Sequence, residues 1–221
     1  MTKQYVVIGL GRFGTSVART LYKLGQEVLA IDTCEERLKY VADMVTHSIV
    51  ADTTDNNVLK NIGITNFDVV VVAIGGNMQA NIMTTLLLKE LGAKYVVAKA
   101  LNKMHGRVLE KIGADKVVYP ERDMGKRVAH FLVAPNMVDY IEIAQGFRIG
   151  EFMAEKELFG KNLKSLNLRA KYNINVLMLK RANGDLVYSP GPDDSIQVGD
   201  LLVLAGAKEA LDHFENRFGG K

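Results

Sequence analysis

Residues 6–14 read Val6-Val7-Ile8-Gly9-Leu10-Gly11-Arg12-Phe13-Gly14, an apolar run that leads directly into the pattern G-x-G-x-x-G. The residues that follow have the spacing of an amphipathic helix. Between a strand and a helix, the first glycine permits a tight turn, the second lets the backbone approach a phosphate, and the third lets helix and strand pack closely. Free N–H groups at the helix start attract the anion. We therefore predict a phosphate-binding turn rather than an empty one, formed by Gly9, Gly11, Arg12, Phe13 and Gly14.

A second apolar run, residues 27–31, ends at Asp32, 18 residues after Gly14. A carboxylate at this position accepts hydrogen bonds from both ribose hydroxyls of an adenine nucleotide. The acidic residues Glu35 and Glu36 follow, and their charge disfavours the 2′-phosphate of NADP. NAD, ADP and ATP remain, and Arg12 favours ATP and ADP because a guanidinium at the helix start can bind a terminal phosphate. The alternative for Arg12 is a surface arginine without a ligand.

Short apolar runs alternate with amphipathic segments up to about residue 134, which is typical of a parallel sheet covered on both faces. We predict an α/β fold, a Rossmann-like doubly wound sheet with strand order 3-2-1-4-5-6. The predicted strands lie at about 4–8, 27–31, 46–51, 67–74, 94–99 and 116–119. The predicted helices lie at about 12–24, 35–43, 55–61, 78–91, 103–112 and 122–133.

The alternation changes near Ala134-Pro135-Asn136. We predict a nucleotide-binding domain over residues 1–134 and a small α+β domain over residues 135–221. Residues 137–144 are either helical or extended, and Asn183-Gly184 indicates a β-hairpin. The other predicted elements are strands at about 148–154, 174–180, 185–189 and 201–205, and a helix over 207–218.

Polar or small residues follow the predicted third and fourth strands, where a doubly wound sheet places its ligand. Asp52 is a candidate acceptor for an adenine amino group, or else a turn or helix-capping aspartate. Ile74 and Gly75 allow the backbone to approach a ligand closely. Asn77 is a candidate helix cap or ligand donor.

Charged residues follow the fifth and sixth strands. Lys99 ends an apolar strand, where an ammonium is costly unless it faces an anion, so we predict a phosphate or a carboxylate partner. Glu121 would face the bound phosphates, which requires either a bridging divalent cation or a positive neighbour to avoid repulsion. The alternative is that Glu121 and Asp123 simply favour the positive N-terminus of the next helix.

Composition excludes several classes of function. A formal charge of +3 over 221 residues provides no basic surface for nucleic acid, and the sequence shows no helix-turn-helix, which argues against a transcription factor. The single cysteine, Cys34, predicts a reducing compartment. We expect no signal peptide, because a strand begins within four residues of Met1, and no membrane span, because the longest apolar run is six residues.

Catalytic groups are also sparse. The four histidines, at positions 47, 105, 130 and 213, are scattered, and no nucleophile or metal motif is present. We therefore predict a nucleotide sensor that is not an enzyme. A small NAD-dependent oxidoreductase is the alternative.

Several segments together resemble the RCK (regulator of K+ conductance) or KTN family, specifically the cytosolic subunits of bacterial Ktr potassium transporters. The resemblance covers essentially the whole chain. The segments that carry it are residues 7–14, 71–75, 84–91, 111–115 and 119–125.

The resemblance implies an octameric ring of dimers that docks on a membrane potassium-transporter subunit and couples nucleotide exchange to gating. Such a protein is cytoplasmic and peripheral to the cell membrane through that partner. The resemblance further implies that ATP activates and ADP inactivates, with Arg12 at the terminal phosphate, Asp32 at the ribose, and Glu121 at a divalent cation (Mg²⁺ or Ca²⁺) near the dimer interface.

The carboxyl-terminal segment resembles the C-terminal RCK lobe, which in this branch of the family binds cyclic di-AMP across its own dimer interface. The residues matched to this effector region are Arg169, Lys171, Tyr172, Asn175 and Pro190. The alternative is that Arg169 and Lys171 form a solvated charged turn.

Overall fold

A computed structural model describes residues 2–133 and 137–218. These residues form two compact units that divide between Arg122 and Asp123. The boundary expected between residues 134 and 135 lies outside the described residues, so the two predicted domain ranges stay a prediction.

The first unit contains a six-stranded parallel sheet in the order β3-β2-β1-β4-β5-β6, which confirms the predicted topology. Its central strands are buried on both faces, and Val6, Val7 and Ile8 are at most 2% exposed. This burial explains why the strands are continuous apolar runs rather than alternating ones. The strands are β1 Gln4–Ile8, β2 Glu27–Asp32, β3 His47–Val50, β4 Val69–Val72, β5 Val96–Lys99 and β6 Lys116–Val118.

Helices connect these strands, and all lie within two residues of their predicted positions. The sixth begins at Pro120 rather than near residue 122, because proline is well suited to the first turn of a helix, where its missing N–H costs nothing. The helices are α1 Arg12–Lys23, α2 Glu35–Val41, α3 Asn56–Ile62, α4 Met78–Glu90, α5 Lys103–Lys111 and α6 Pro120–Val133. Short 3-10 turns follow α2 and α3.

The glycine turn between β1 and α1 is built as the sequence predicts. Gly9 has a φ of 91°, and a Cβ on this residue would lie 2.9 Å from the backbone nitrogen of Ile74. A Cβ on Gly14 would overlap the carbonyl oxygen of Gly9. The third glycine therefore allows α1 to pack directly on the turn.

The second unit contains a five-stranded antiparallel sheet in the order β10-β9-β11-β8-β7. Residues 137–144 are extended, which settles the alternative left open by the sequence, and the predicted hairpin joins β9 to β10. The short helices α7 and α8 were not predicted. The elements are β7 Met137–Ala144, β8 Phe147–Met153, α7 Leu163–Leu166, α8 Leu168–Tyr172, β9 Asn175–Lys180, β10 Leu186–Tyr188, β11 Leu201–Ala207 and α9 Lys208–Phe218.

Helix α9 covers one face of this second sheet. Leu211 and Phe214 of the helix are buried, and Phe214 packs edge-on against Phe152 of β8 with ring centroids 5.7 Å apart. The second unit therefore has its own hydrophobic core. No helix within the described ranges is both long and apolar enough to cross a membrane.

Candidate functional site

A cleft of about 510 Å³ lies at the carboxyl ends of the first-unit strands. It gathers most of the residues predicted in that unit, although they come from six different strand ends. Gly14 is not among the lining residues and instead packs against Gly9. The predicted residues that line the cleft are Gly9, Gly11, Arg12, Phe13, Asp32, Asp52, Ile74, Gly75, Asn77, Lys99 and Glu121.

The N-terminus of α1 opens into this cleft. Gly11 is its N-cap and provides no side-chain hydrogen bond, and the first turn contains no acidic residue. The first N–H groups of a helix have no partner within the helix, and they carry its positive end. A Cβ on Gly11 would meet nothing within 4 Å. The turn therefore presents open space and unpaired donors beside the Arg12 side chain, which suits an anionic group.

Asp32 is 5% exposed and already accepts several hydrogen bonds. Its Oδ2 atom accepts from the backbone N–H of Leu10 at 2.6 Å, and Oδ1 accepts from the N–H of Cys34 at 2.8 Å. A carboxylate has about four lone-pair positions, so capacity for a ribose hydroxyl remains. Asp32 thus fixes the glycine turn in addition to its predicted role at the ribose.

Arg37 also lines the cleft, and the sequence interpretation missed it. Its Nη1 atom lies 3.4 Å from Oδ2 of Asp32, and its side chain is 57% exposed. The available signal was its position five residues after Asp32, on a helix that begins at the same edge of the sheet.

Asp52 forms a local turn. Its Oδ1 accepts from both the hydroxyl and the backbone N–H of Thr54, at 2.7 and 3.0 Å, and these hydrogen bonds lower the pKa of Asp52. Asp55, not Asp52, caps α3 by accepting from the N–H of Asn57. Of the roles predicted for Asp52, the structure shows the one in a turn. A contact between Asp52 and an adenine stays a prediction.

Asn77 is the N-cap of α4, with its Oδ1 accepting from the N–H of Ala80 at 3.0 Å. Its predicted capping role is therefore present in the structure. Its amide nitrogen is not needed for the cap, and because Asn77 lines the cleft, a donor role toward a ligand stays a prediction.

Lys99 pairs with Glu121. Its Nζ lies 2.6 Å from Oε1 of Glu121, and the two side chains are 9% and 69% exposed. The hydrogen bond from Lys99 lowers the pKa of Glu121. The ammonium also lies 5.9 Å from the centroid of the Phe13 ring. Of the two partners predicted for Lys99, the structure shows the carboxylate, and that carboxylate belongs to the first turn of α6.

A divalent cation fits these residues poorly within one chain. Glu121 already accepts from an ammonium, which competes with a cation for the same oxygen. Among the residues that the structure describes, no three His, Cys, Asp or Glu side chains cluster as metal ligands would. One chain therefore supplies an incomplete set of donors.

The residues predicted to bind the second effector lie on neighbouring elements of the second unit. Arg169 and Lys171 are exposed on α8, and Asn175 is exposed at the start of β9. Tyr172 is half-buried and packs edge-on against Phe214, with ring centroids 6.0 Å apart, so it contributes to the core. Pro190 is half-buried just after β10.

Two domain families match the chain. The TrkA-N domain matches residues 5–120 and the TrkA-C domain matches residues 151–219. These ranges cover the glycine turn with the whole six-stranded sheet, and most of the second unit.

Relatives of nearly the same length also exist. The "Ktr system potassium uptake protein C" of Bacillus subtilis (strain 168) is 45% identical over 217 residues, which cover 98% of each chain. The "Ktr system potassium uptake protein A" of the same organism is 45% identical over 214 residues, or 97% of this chain and 96% of that one.

A solved structure shares the fold at lower identity. The "GsuK channel bound to NAD" aligns with a TM-score of 0.56 and 22% identity. The alignment covers 97% of this chain and 38% of the GsuK chain, so this chain spans well under half of that protein.

Proposed function

The chain belongs to the family of TrkA-N and TrkA-C domain proteins that includes the Ktr system potassium uptake proteins, and we propose that it is the nucleotide-binding gating subunit of such a system. The near-full-length relatives are potassium uptake proteins, not enzymes, which agrees with the scarcity of catalytic groups in the sequence. The observation that carries the proposal is the cleft: an open glycine turn, an arginine at a helix N-terminus and a buried aspartate share one cavity.

The proposed ligands are ATP and ADP, with NAD as a further candidate. The phosphates would lie against Gly11 and the N-terminus of α1, where unpaired N–H groups stabilise negative charge. Asp32 would accept from the ribose hydroxyls, and Arg12 would bind the terminal phosphate of ATP. The acidic residues after Asp32 disfavour a 2′-phosphate.

Gating requires that a ligand bound in the cleft changes the position of another element of the protein. Helix α6 begins at the cleft, since Glu121 of its first turn pairs with Lys99. A bound phosphate would compete with Glu121 for that ammonium, because both are anions. The proposed gating signal is therefore a change in the first turn of α6. No step depends on a divalent cation at Glu121, since one chain supplies too few donors for it.

The proposed partner is a membrane potassium-transporter subunit of the Ktr type, with this chain on the cytoplasmic side as a homo-oligomer, an octameric ring of dimers. The second unit would bind cyclic di-AMP across a two-fold interface, with Arg169 at a phosphate and Asn175 as a hydrogen-bonding residue. A two-fold cleft suits this ligand because the ligand is itself two-fold symmetric.

Calorimetric titration of the full chain with ATP, ADP and NAD tests this function, combined with a hydride-transfer assay on small alcohols and hydroxy acids. We expect saturable binding of ATP and ADP without turnover. Robust reduction of NAD in that panel would instead establish the oxidoreductase alternative. Co-purification with a potassium transporter from a membrane fraction tests the partner.

Two variants test the assigned roles. Arg12→Ala should weaken ATP more than ADP, by about 1.5–3 kcal/mol for one charge-assisted contact. Asp32→Ala should weaken both nucleotides about equally, because both contain the same ribose. Equal losses of ATP and ADP in Arg12→Ala would mean that Arg12 does not contact the third phosphate.

A further inference from the structure

Asn81 is a fully buried polar residue on α4 that does not line the cleft. Its Nδ2 donates to the carbonyl oxygen of Ile74 at 2.7 Å and to that of Lys99 at 3.1 Å. Both partners are acceptors, so the amide nitrogen, not the oxygen, must face them. The two hydrogens of a single amide group thus join two segments that are 25 residues apart in sequence.

The two carbonyl groups lie beyond the end of the regular pairing between β4 and β5. The last residues paired between these two strands are Val72 and Ala98. Strand β4 ends there, and Lys99 of β5 pairs with Val118 of β6 instead. Where these two chain segments reach the cleft, the hydrogen bonds of the Asn81 side chain therefore hold them together in place of backbone hydrogen bonds between β4 and β5. A hydroxyl carries one hydrogen and a carboxylate none, so Ser, Thr or Asp could not satisfy both carbonyls.

Both segments held by Asn81 shape the phosphate end of the cleft. The backbone of Ile74 lies against Gly9, so closely that a Cβ on Gly9 would be 2.9 Å from its nitrogen. A Cβ on Gly75 would lie 3.1 Å from the ammonium of Lys99. The positions of the glycine turn, Gly75 and the ammonium therefore depend on the same two carbonyl groups.

We propose that Asn81 is a positioning residue for nucleotide recognition, which fixes the ends of β4 and β5 so that Lys99 and the glycine turn face the phosphates of one ligand. This inference rests on the proposed function. It assigns a role to a residue that does not touch the ligand. The adenosine end of the cleft, formed by β2, β3 and the segments after them, does not depend on these hydrogen bonds.

The test compares ligands with and without phosphates, using the full-length chain and calorimetric titration with ATP, ADP and adenosine. For Asn81→Ala we expect ADP and ATP to bind about tenfold more weakly, the loss associated with one to two buried hydrogen bonds. Adenosine affinity should stay within about twofold. A uniform loss for all three ligands, or no loss, would overturn the proposal.

Thr85→Val is the matched control. Thr85 is equally buried on the same helix, and its hydroxyl donates to the carbonyl oxygen of Asn81 rather than to β4 or β5. We expect this variant to be destabilised while the ratio of ADP to adenosine affinity stays at its wild-type value. The same change of ratio in Thr85→Val would show that the effect is only structural.

Asn81→Ser gives the same comparison if Asn81→Ala does not fold, because serine retains a polar group and leaves a smaller cavity than alanine. A wild-type ADP to adenosine ratio in a folded Asn81→Ser variant would contradict the proposal. If the unmodified chain fails to bind ADP at all, the proposed function fails instead, so the two failures are distinguishable.

Discussion

At the scale of single residues, the two glycines Gly11 and Gly14 of one motif have different roles. A Cβ on Gly14 would overlap the carbonyl oxygen of Gly9, whereas a Cβ on Gly11 would enter open space inside the cleft. Gly14 thus allows helix α1 to pack closely on the turn, and Gly11 leaves open the space that a ligand's phosphate would occupy. The structure shows the packing role that the motif predicts for Gly14, and the phosphate contact at Gly11 stays a prediction.

Gly14→Ala should destabilise the protein by about 1–3 kcal/mol, the usual cost of overpacking against backbone. Gly11→Ala should leave the thermal unfolding midpoint within about 2 °C of wild type, yet weaken nucleotide binding at least tenfold, because the methyl group occupies the ligand's space. Thermal unfolding and calorimetry of the two variants check this. Unchanged ADP affinity in a folded Gly11→Ala variant would contradict the assignment of the phosphate site.

The sequence predicted which side chains reach the cleft better than it predicted their partners. Asp32, Asp52 and Lys99 line the cleft because parallel strands end at one edge, a property that periodicity alone reveals. The hydrogen bond from Leu10 to Asp32 and the two donated by Asn81 depend on segments that are distant in sequence. No local pattern encodes such contacts, so Asn81 was missed. Arg37, five residues after its partner Asp32, was missed although its position was a local signal.

At the scale of elements, the central strands of the first unit were predictable because both of their sides are buried and their sequences are therefore plain apolar runs. The elements of the second unit were less predictable from the sequence. Helices α7 and α8 have four and five residues, and they are separated and ended by Asn167 and Asn173 in left-handed conformations. Helices this short are too small for helical periodicity to appear in the sequence, and tertiary contacts hold them.

Helix α6 gives a prediction about pH at this scale. The hydrogen bond from Lys99 lowers the pKa of Glu121 below its usual value of 4.5. A lowered carboxylate pKa contributes stability above the unfolded-state value, and this contribution is lost as pH falls through the folded-state pKa. Glu121→Gln should therefore lower the unfolding midpoint at pH 7, by about 2 °C for a pair whose acid is largely exposed.

The difference between wild type and Glu121→Gln should shrink as pH falls below 4.5 and vanish once the pH lies below the folded-state pKa of Glu121. Thermal unfolding followed between pH 7 and pH 3 measures this difference. Lys99→Met is the control: Glu121 then has no ammonium partner, so Glu121→Gln should have a smaller effect in that background, limited to the contact of the carboxylate with the backbone N–H groups at the start of α6. A difference that does not change with pH would show that the ion pair does not link β5 to α6.

At the scale of the whole molecule, the second unit has an apolar surface that its own core does not use. Helix α9 covers one face of the sheet β10-β9-β11-β8-β7, and the side chains on the opposite face, which we call the open face, include Ile141 and Ile143 at 60% and 59% exposed. Ile141 pairs with Ile149 across β7 and β8, and Met153 lies on the same face. An exposed apolar surface of this kind indicates a protein–protein interface. A small domain buries little apolar surface by itself, so contact with a second copy would add to its hydrophobic core.

We expect residues 135–221 expressed alone to dimerise through the open face and to bind cyclic di-AMP. Ile143→Glu should give a monomer, because a carboxylate would be buried at the interface without a partner. Val198→Glu is the matched control: Val198 is 70% exposed but lies outside the sheet, so its substitution should leave the dimer intact. Light scattering measures the oligomeric state, and calorimetry measures the ligand.

Arg169 separates dimerisation from ligand binding. Arg169→Ala should abolish cyclic di-AMP binding while the fragment remains dimeric, because the exposed guanidinium on α8 is assigned to a ligand phosphate and not to the open face. A dimer that binds the ligand equally well without Arg169 would mean that the charged turn is only solvated. A folded, monomeric wild-type fragment that ignores the ligand at high micromolar concentration would contradict both the interface and the effector site. Because the ligand is proposed to bind across a two-fold interface, loss of the dimer should also remove ligand binding, whereas loss of Arg169 should remove ligand binding alone.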